Sequence, residues 1–91
     1  MGTSVPPLVT VRYWAAARAA AGRESDQVPA STLAEALREV VALHAGNGRF
    51  ADVVAVCSVL VGEAPVSSQD PETVSLAEGS VVELLPPFAG G

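Results

Sequence analysis

The sequence has no lysine; its five basic residues, Arg12, Arg18, Arg23, Arg38 and Arg49, are all arginines. This excludes a P-loop lysine, a Schiff-base lysine and any side-chain amine that could accept an isopeptide bond. Against ten acidic residues the formal net charge is −5. Little positive charge is left to neutralise a phosphate backbone, so nucleic acid is not an expected partner. An acidic chain suits partners with basic docking faces, although charge of this kind serves solubility equally well. Cysteine and histidine occur once each, as Cys57 and His44. An intrachain disulfide is therefore impossible, and one His with one Cys does not build a zinc site. No apolar run approaches the roughly 20 residues of a membrane-spanning helix. The opening residues 1–7 carry neither a basic n-region nor an apolar h-region, and Pro6 stands where a myristoylation signal needs Ser or Thr. The expectation is a cytoplasmic protein without a membrane partner, a bound cofactor or a self-contained active site.

Hydrophobic residues make up 49% of the 91, enough for one packed interior but not for two. Residues 1–7 read as a flexible leader, since Pro6 and Pro7 oppose helix and central strand. Residues 8–15 alternate, with Val9, Val11 and Tyr13 against Thr10, Arg12 and Trp14, the pattern of a half-buried strand. The alanine-rich residues 15–21 suit a short helix ended by Gly22. Residues 24–28 suggest a polar edge strand closed by Pro29. Thr32 and Glu35 form a capping box, and Leu33, Leu37, Val40, Val41 and His44 then fall on one helical stripe. Gly46-Asn47-Gly48 is expected to end that helix in a left-handed cap.

Residues 49–53 read as a turn, and the β-branched run 54–61 as a buried strand. Ala64-Pro65-Val66 suggests a short return strand, residues 67–80 a turn-rich loop, and residues 81–85 a last strand stopped by Pro86-Pro87. One long helix with four to five strands implies an α+β fold, a single sheet packed on that helix. The domain is expected over 8–85, with residues 86–91 protruding from it.

The ending Phe88-Ala89-Gly90-Gly91 concentrates the functional signal. Glycine averages about 7% of residues, so a terminal Gly-Gly arises by chance in roughly 0.5% of chains. Two residues without Cβ can thread a slot too narrow for side chains. They leave the terminal carboxylate unhindered towards an activated phosphate held by another enzyme. Pro86-Pro87 stiffen the exit and shorten the part that must be ordered on binding. Such a segment reads as a substrate offered to partner active sites.

The ending Val-Glu-Leu-Leu-Pro-Pro-Phe-Ala-Gly-Gly over residues 82–91 resembles that of the small, sulfur-carrying subunits of molybdopterin synthase. Val11-Arg12-Tyr13-Trp14-Ala15, followed by Arg18 and Gly22, is similar to the opening of that family. The resemblance implies a ubiquitin-like β-grasp, with a mixed sheet whose first and last strands run parallel. It implies that an E1-like adenylyltransferase, using its own ATP and Mg, activates the Gly91 carboxylate. A persulfide donor protein would then convert it to a thiocarboxylate. The tail would next enter the molybdopterin synthase large subunit and pass sulfur to cyclic pyranopterin monophosphate. The same carrier chemistry could instead serve thiamin thiazole, cysteine or tRNA thiolation, or Gly-Gly could be conjugated as a protein tag.

In parallel neighbours with Tyr13 and Leu84 inward, Trp14 and Leu85 share the outer face where the tail leaves. The expected partner face is therefore Trp14, Leu85, Pro86, Pro87, Phe88 and Ala89, with Arg12 and Glu83 fixing register and Gly90 and Gly91 carrying the chemistry. The competing reading has Trp14 merely covering the short helix. Cys57, in the most apolar stretch, reads as a structural thiol, with a sulfur relay as the lesser alternative. His44 reads as a residue at a helix C-terminus, and Arg18 and Arg23 as a solvated rim, with partner contact as the lesser alternative.

Overall fold

Alternation along two strands builds the centre of the molecule. In the computed structural model, which describes residues 5–87, β1 (Leu8–Tyr13) and β5 (Val81–Leu85) run parallel, in register from Thr10↔Val81 to Tyr13↔Leu84. Every second residue points inward, so Val9, Val11, Tyr13, Val82 and Leu84 are buried. β2 (Ser25–Pro29) pairs antiparallel with β1, and β3 (Ser58–Val61) antiparallel with β5. β4 (Ala64–Pro65) completes the mixed order β2-β1-β5-β3-β4. The outer strands each carry a proline, and β4 is only two residues long. Both features discourage pairing with another chain. Gly62 and Glu63, with φ of 56° and 72°, make the two-residue turn between β3 and β4, where positive φ matches the strand twist.

Helices cover one face of this sheet. α1 (Ala15–Ala21) ends at Gly22, whose φ of 74° lets its N–H reach the Arg18 carbonyl. α2 (Leu33–Leu43) starts at Thr32, whose Oγ1 accepts from the Glu35 N–H at 3.2 Å. Glu35 Oε1 reaches past the cap to the Ser31 N–H at 2.6 Å, a capping box displaced by one residue. Leu33, Ala36 and Val40 are fully buried, whereas Leu37 and Val41 are half-buried. The buried stripe is thus rotated towards Ala36 relative to the expected one.

Three expectations between residues 46 and 61 are corrected. Gly46-Asn47-Gly48 is not a left-handed cap: α2 ends at His44 with φ −108°, and neither glycine has positive φ. Asn47 instead opens a third helix, α3 (Gly48–Ala55), its Oδ1 accepting from the N–H groups of Arg49 and Phe50. Its Nδ2 donates to the Ala20 carbonyl at 2.7 Å, tying α3 to α1. Residues 49–53 are therefore helix and not turn. The run 54–61 is likewise not one strand, because helix persists to Ala55 and strand begins at Ser58. Phe50 is fully buried, with Val53, Val54 and Cys57 packed against the core three, four and seven residues on. That spacing is helical, and it outweighs the strand preference of the valines.

Residues 67–80 are loop apart from a 3-10 turn at Pro71–Thr73 and a bridge from Ser75 to Thr32. Val66, just before this loop, and Val74 and Leu76 within it enter the core. Residues 1–4 of the expected leader and residues 88–91 of the expected tail lie outside the described residues. The Pro7 carbonyl accepts the Ala30 N–H at 2.9 Å, so the leader is held at its inner end.

Candidate functional site

The parallel register of β1 and β5 sets Arg12 beside Glu83. One step on, the Trp14 N–H donates to the Leu84 carbonyl at 3.2 Å, extending the ladder towards the C-terminal segment. With Tyr13 and Leu84 committed to the core, Arg12, Trp14, Glu83 and Leu85 face outward together. The indole Nε1–H donates to Glu83 Oε1 at 3.0 Å, and the Arg12 guanidinium lies 5.1 Å from the indole centroid. The ring is thus held at its edge by an acid and covered by a cation. Trp14, Ala15, Leu85 and Pro86 line an open groove of about 200 Å³. Trp14 also starts α1, its carbonyl accepting from the Ala17 and Arg18 N–H groups. It lies outside the core cluster. Pro87, beside this groove in sequence, is exposed. Phe88, Ala89, Gly90 and Gly91 lie outside the described residues.

On the inner side of the same strand end sits a polar network that the sequence reading missed. Asp26 occupies an inward position of β2 opposite Val11 and is 7% exposed. Its Oδ2 accepts from the Tyr13 hydroxyl at 2.7 Å and bonds His44 Nε2 at 2.8 Å; its Oδ1 accepts from Arg23 at 2.9 Å. Burial by itself raises the Asp26 carboxyl, but the bonds to His44, Tyr13 and Arg23 together hold it below the usual carboxylate range. An ionised carboxylate only accepts, so His44 Nε2 carries the proton. Burial, joined by the adjacent Asp26, pushes the Tyr13 phenol well above its ordinary value. Tyr13, His44 and Phe50 form an aromatic cluster, with Tyr13 edge-on to Phe50 at 5.4 Å. His44 and Arg23 are therefore structural partners of Asp26, beyond the helix-end and rim positions expected of them. One signal could have exposed the network: an aspartate at an inward strand position must find partners.

Cys57 is half-buried, its thiol donating to the Val53 carbonyl at 3.2 Å and pushed by burial up to about 11. At neutral pH it is a thiol and not a nucleophilic thiolate. Among the described residues, no group of three or more His, Cys, Asp or Glu could hold a metal. No described helix is long and apolar enough to cross a membrane.

Comparison with known proteins bears on this arrangement. No curated protein matches the chain by sequence. The profile of the ThiS family matches residues 11–91. The small archaeal modifier protein 1 of Methanosarcina acetivorans has a TM-score of 0.78 at 16% identity, covering 98% of this chain and 100% of its own. The HVO 2177 protein of Haloferax volcanii has a TM-score of 0.72 at 25% identity, covering 93% of this chain and 87% of its own. A chain in the complex of subunits 1 and 2 of the molybdopterin-converting factor from Helicobacter pylori has a TM-score of 0.65 at 25% identity. It covers 92% of this chain and 99% of its own. The shared fold is the ubiquitin-like β-grasp. With a matching profile that runs from within β1 through β5 to Gly91, the chain belongs to the ThiS family and is a ubiquitin-like sulfur carrier.

Proposed function

We propose that this chain is the sulfur-carrying small subunit of a molybdopterin synthase, with Gly91 as the atom-bearing end. An E1-like adenylyltransferase, holding ATP and Mg, activates the Gly91 carboxylate, because a carboxylate is a poor electrophile until one oxygen becomes a good leaving group. The outer sulfur of a persulfide donor attacks the activated carbonyl and expels AMP, giving an acyl disulfide. A second thiol then takes the donor's inner sulfur into a disulfide and releases the Gly91 thiocarboxylate. The tail then enters the synthase large subunit and delivers sulfur to cyclic pyranopterin monophosphate. Catalytic bases and phosphate-binding groups lie on the partners, and this chain supplies position.

The observation that carries this reading is the outward groove of Trp14, Ala15, Leu85 and Pro86 at the root of a segment ending in Gly90-Gly91. An indole held by Glu83 and open on one side suits the anchor of a protein interface, where large amphipathic rings bury area at little entropic cost. The similarity to a subunit found in complex with its partner supports the large subunit as the docking protein. Co-purification with the large subunit tests this choice: a stable complex, lost in Trp14→Ala, is expected. Absence of a complex would reject the molybdopterin pathway while leaving the carrier chemistry open. Intact mass separates a carrier, in which oxygen is exchanged for sulfur, from a tag, which forms adducts on target lysines.

A further inference from the structure

The outer face at the end of β1 sets one cation and one anion, Arg12 and Glu83, beside an apolar groove, and this limits what can seat there. The following rests on the docking role proposed above. The groove is lined by Trp14, Ala15, Leu85 and Pro86, all carbon-rich, and its volume of about 200 Å³ has room for one apolar side chain. Two charged residues flank the indole, and they differ in commitment. Glu83 is engaged, its Oε1 taken by the Trp14 N–H at 3.0 Å. Arg12 lies over the ring at 5.1 Å, and a guanidinium held by a ring still has N–H groups to offer another acceptor. The ion pairs among the described residues are Arg23–Asp26 and Arg38–Glu72. Arg12 is in neither of them, and its side chain is exposed.

We propose that this groove receives an aliphatic or aromatic side chain of the docking protein with a carboxylate beside it, and that the carboxylate pairs with Arg12. The net charge of −5 draws in a partner that is basic at long range. At the groove the two charges offset one another, and they differ in how far each is already engaged. An acid finds the Arg12 guanidinium, whereas a basic residue meets Arg12 and competes with the indole for Glu83. Arg12 thereby sets the register of the complex, and Trp14 supplies the anchor.

Trp14 is the single tryptophan of the chain, so indole fluorescence reports on the groove directly. The full chain is titrated with phenylpropionate and, separately, with its neutral amide, phenylpropionamide. A saturable change is expected from both, with the carboxylate about fivefold tighter at low salt and the gap narrowing as salt rises. Arg12→Lys keeps the preference and Arg12→Gln removes it, while near-ultraviolet circular dichroism checks that both variants are folded. No saturable response, equal affinities, or a preference surviving Arg12→Gln would each overturn the proposal. The probes need neither activation nor Gly91. Failure here leaves sulfur transfer untouched, and a chain that never acquires sulfur could still show the preference.

Discussion

Tyr13 and Trp14 are neighbours in sequence and opposites in circumstance. Tyr13 points into the core, where its hydroxyl meets Asp26 and its ring meets Phe50 and His44. Trp14 points outward, held by Glu83 and Arg12 beside a groove that its own chain leaves open. The inner aromatic is over-determined, because packing, hydrogen bonds and an ion pair all fix the same strand end. The outer one is fixed in position and unfilled. A rigid support beneath an open anchor reduces the ordering cost when a partner docks.

Mutations on the two sides should separate stability from docking. Phe50→Ala removes the ring that joins Tyr13 and His44 and should cost about 3–5 kcal/mol by denaturant unfolding. Asp26→Asn should cost about 1–3 kcal/mol, since it weakens every bond of the buried network. This loss depends on pH with a definite sign. The Asp26 carboxyl titrates lower in the folded chain than in the unfolded one. Its contribution is therefore complete above the unfolded value of about 3.9 and disappears as pH falls through the lower folded value. Unfolding of the parent chain should show this acid limb, and Asp26→Asn should lack that share of it. Trp14→Ala, by contrast, should weaken partner binding by about tenfold or more while lowering stability by about 1 kcal/mol or less. If Trp14→Ala unfolds the chain, or Asp26→Asn leaves stability unchanged, the division of labour is wrong. Asn47→Ala, away from both sides, should cost about 1 kcal/mol through loss of the α3 cap.

Residues with one dominant local cause were legible before the structure. The alternation in β1 and β5, the Gly22 stop and the Thr32 start each follow from backbone preferences that tertiary packing did not oppose. The stretch from Asn47 to Val61 was misread because two signals coincided in one apolar run. Valine spacing imitates a buried strand, and Asn47 flanked by glycines imitates a helix end. Phe50 decides the matter by entering the core, but a single aromatic has no direction in sequence. The outward pairing of Trp14 with Leu85 needed only strand parity and parallel neighbours. The Asp26 network needed three elements to converge from residues 13, 23, 26 and 44, and no local pattern encodes that meeting.

The account turns on Gly91 as the point of sulfur attachment, and intact-mass spectrometry of the full chain reads this directly. After incubation with the activating enzyme, ATP, Mg, a persulfide donor and a thiol reductant, one oxygen should be exchanged for sulfur. Fragmentation should place the exchange at Gly91, and a chain lacking that residue should not change. An unaltered mass for the intact chain, or sulfur found at Cys57 instead, would contradict it.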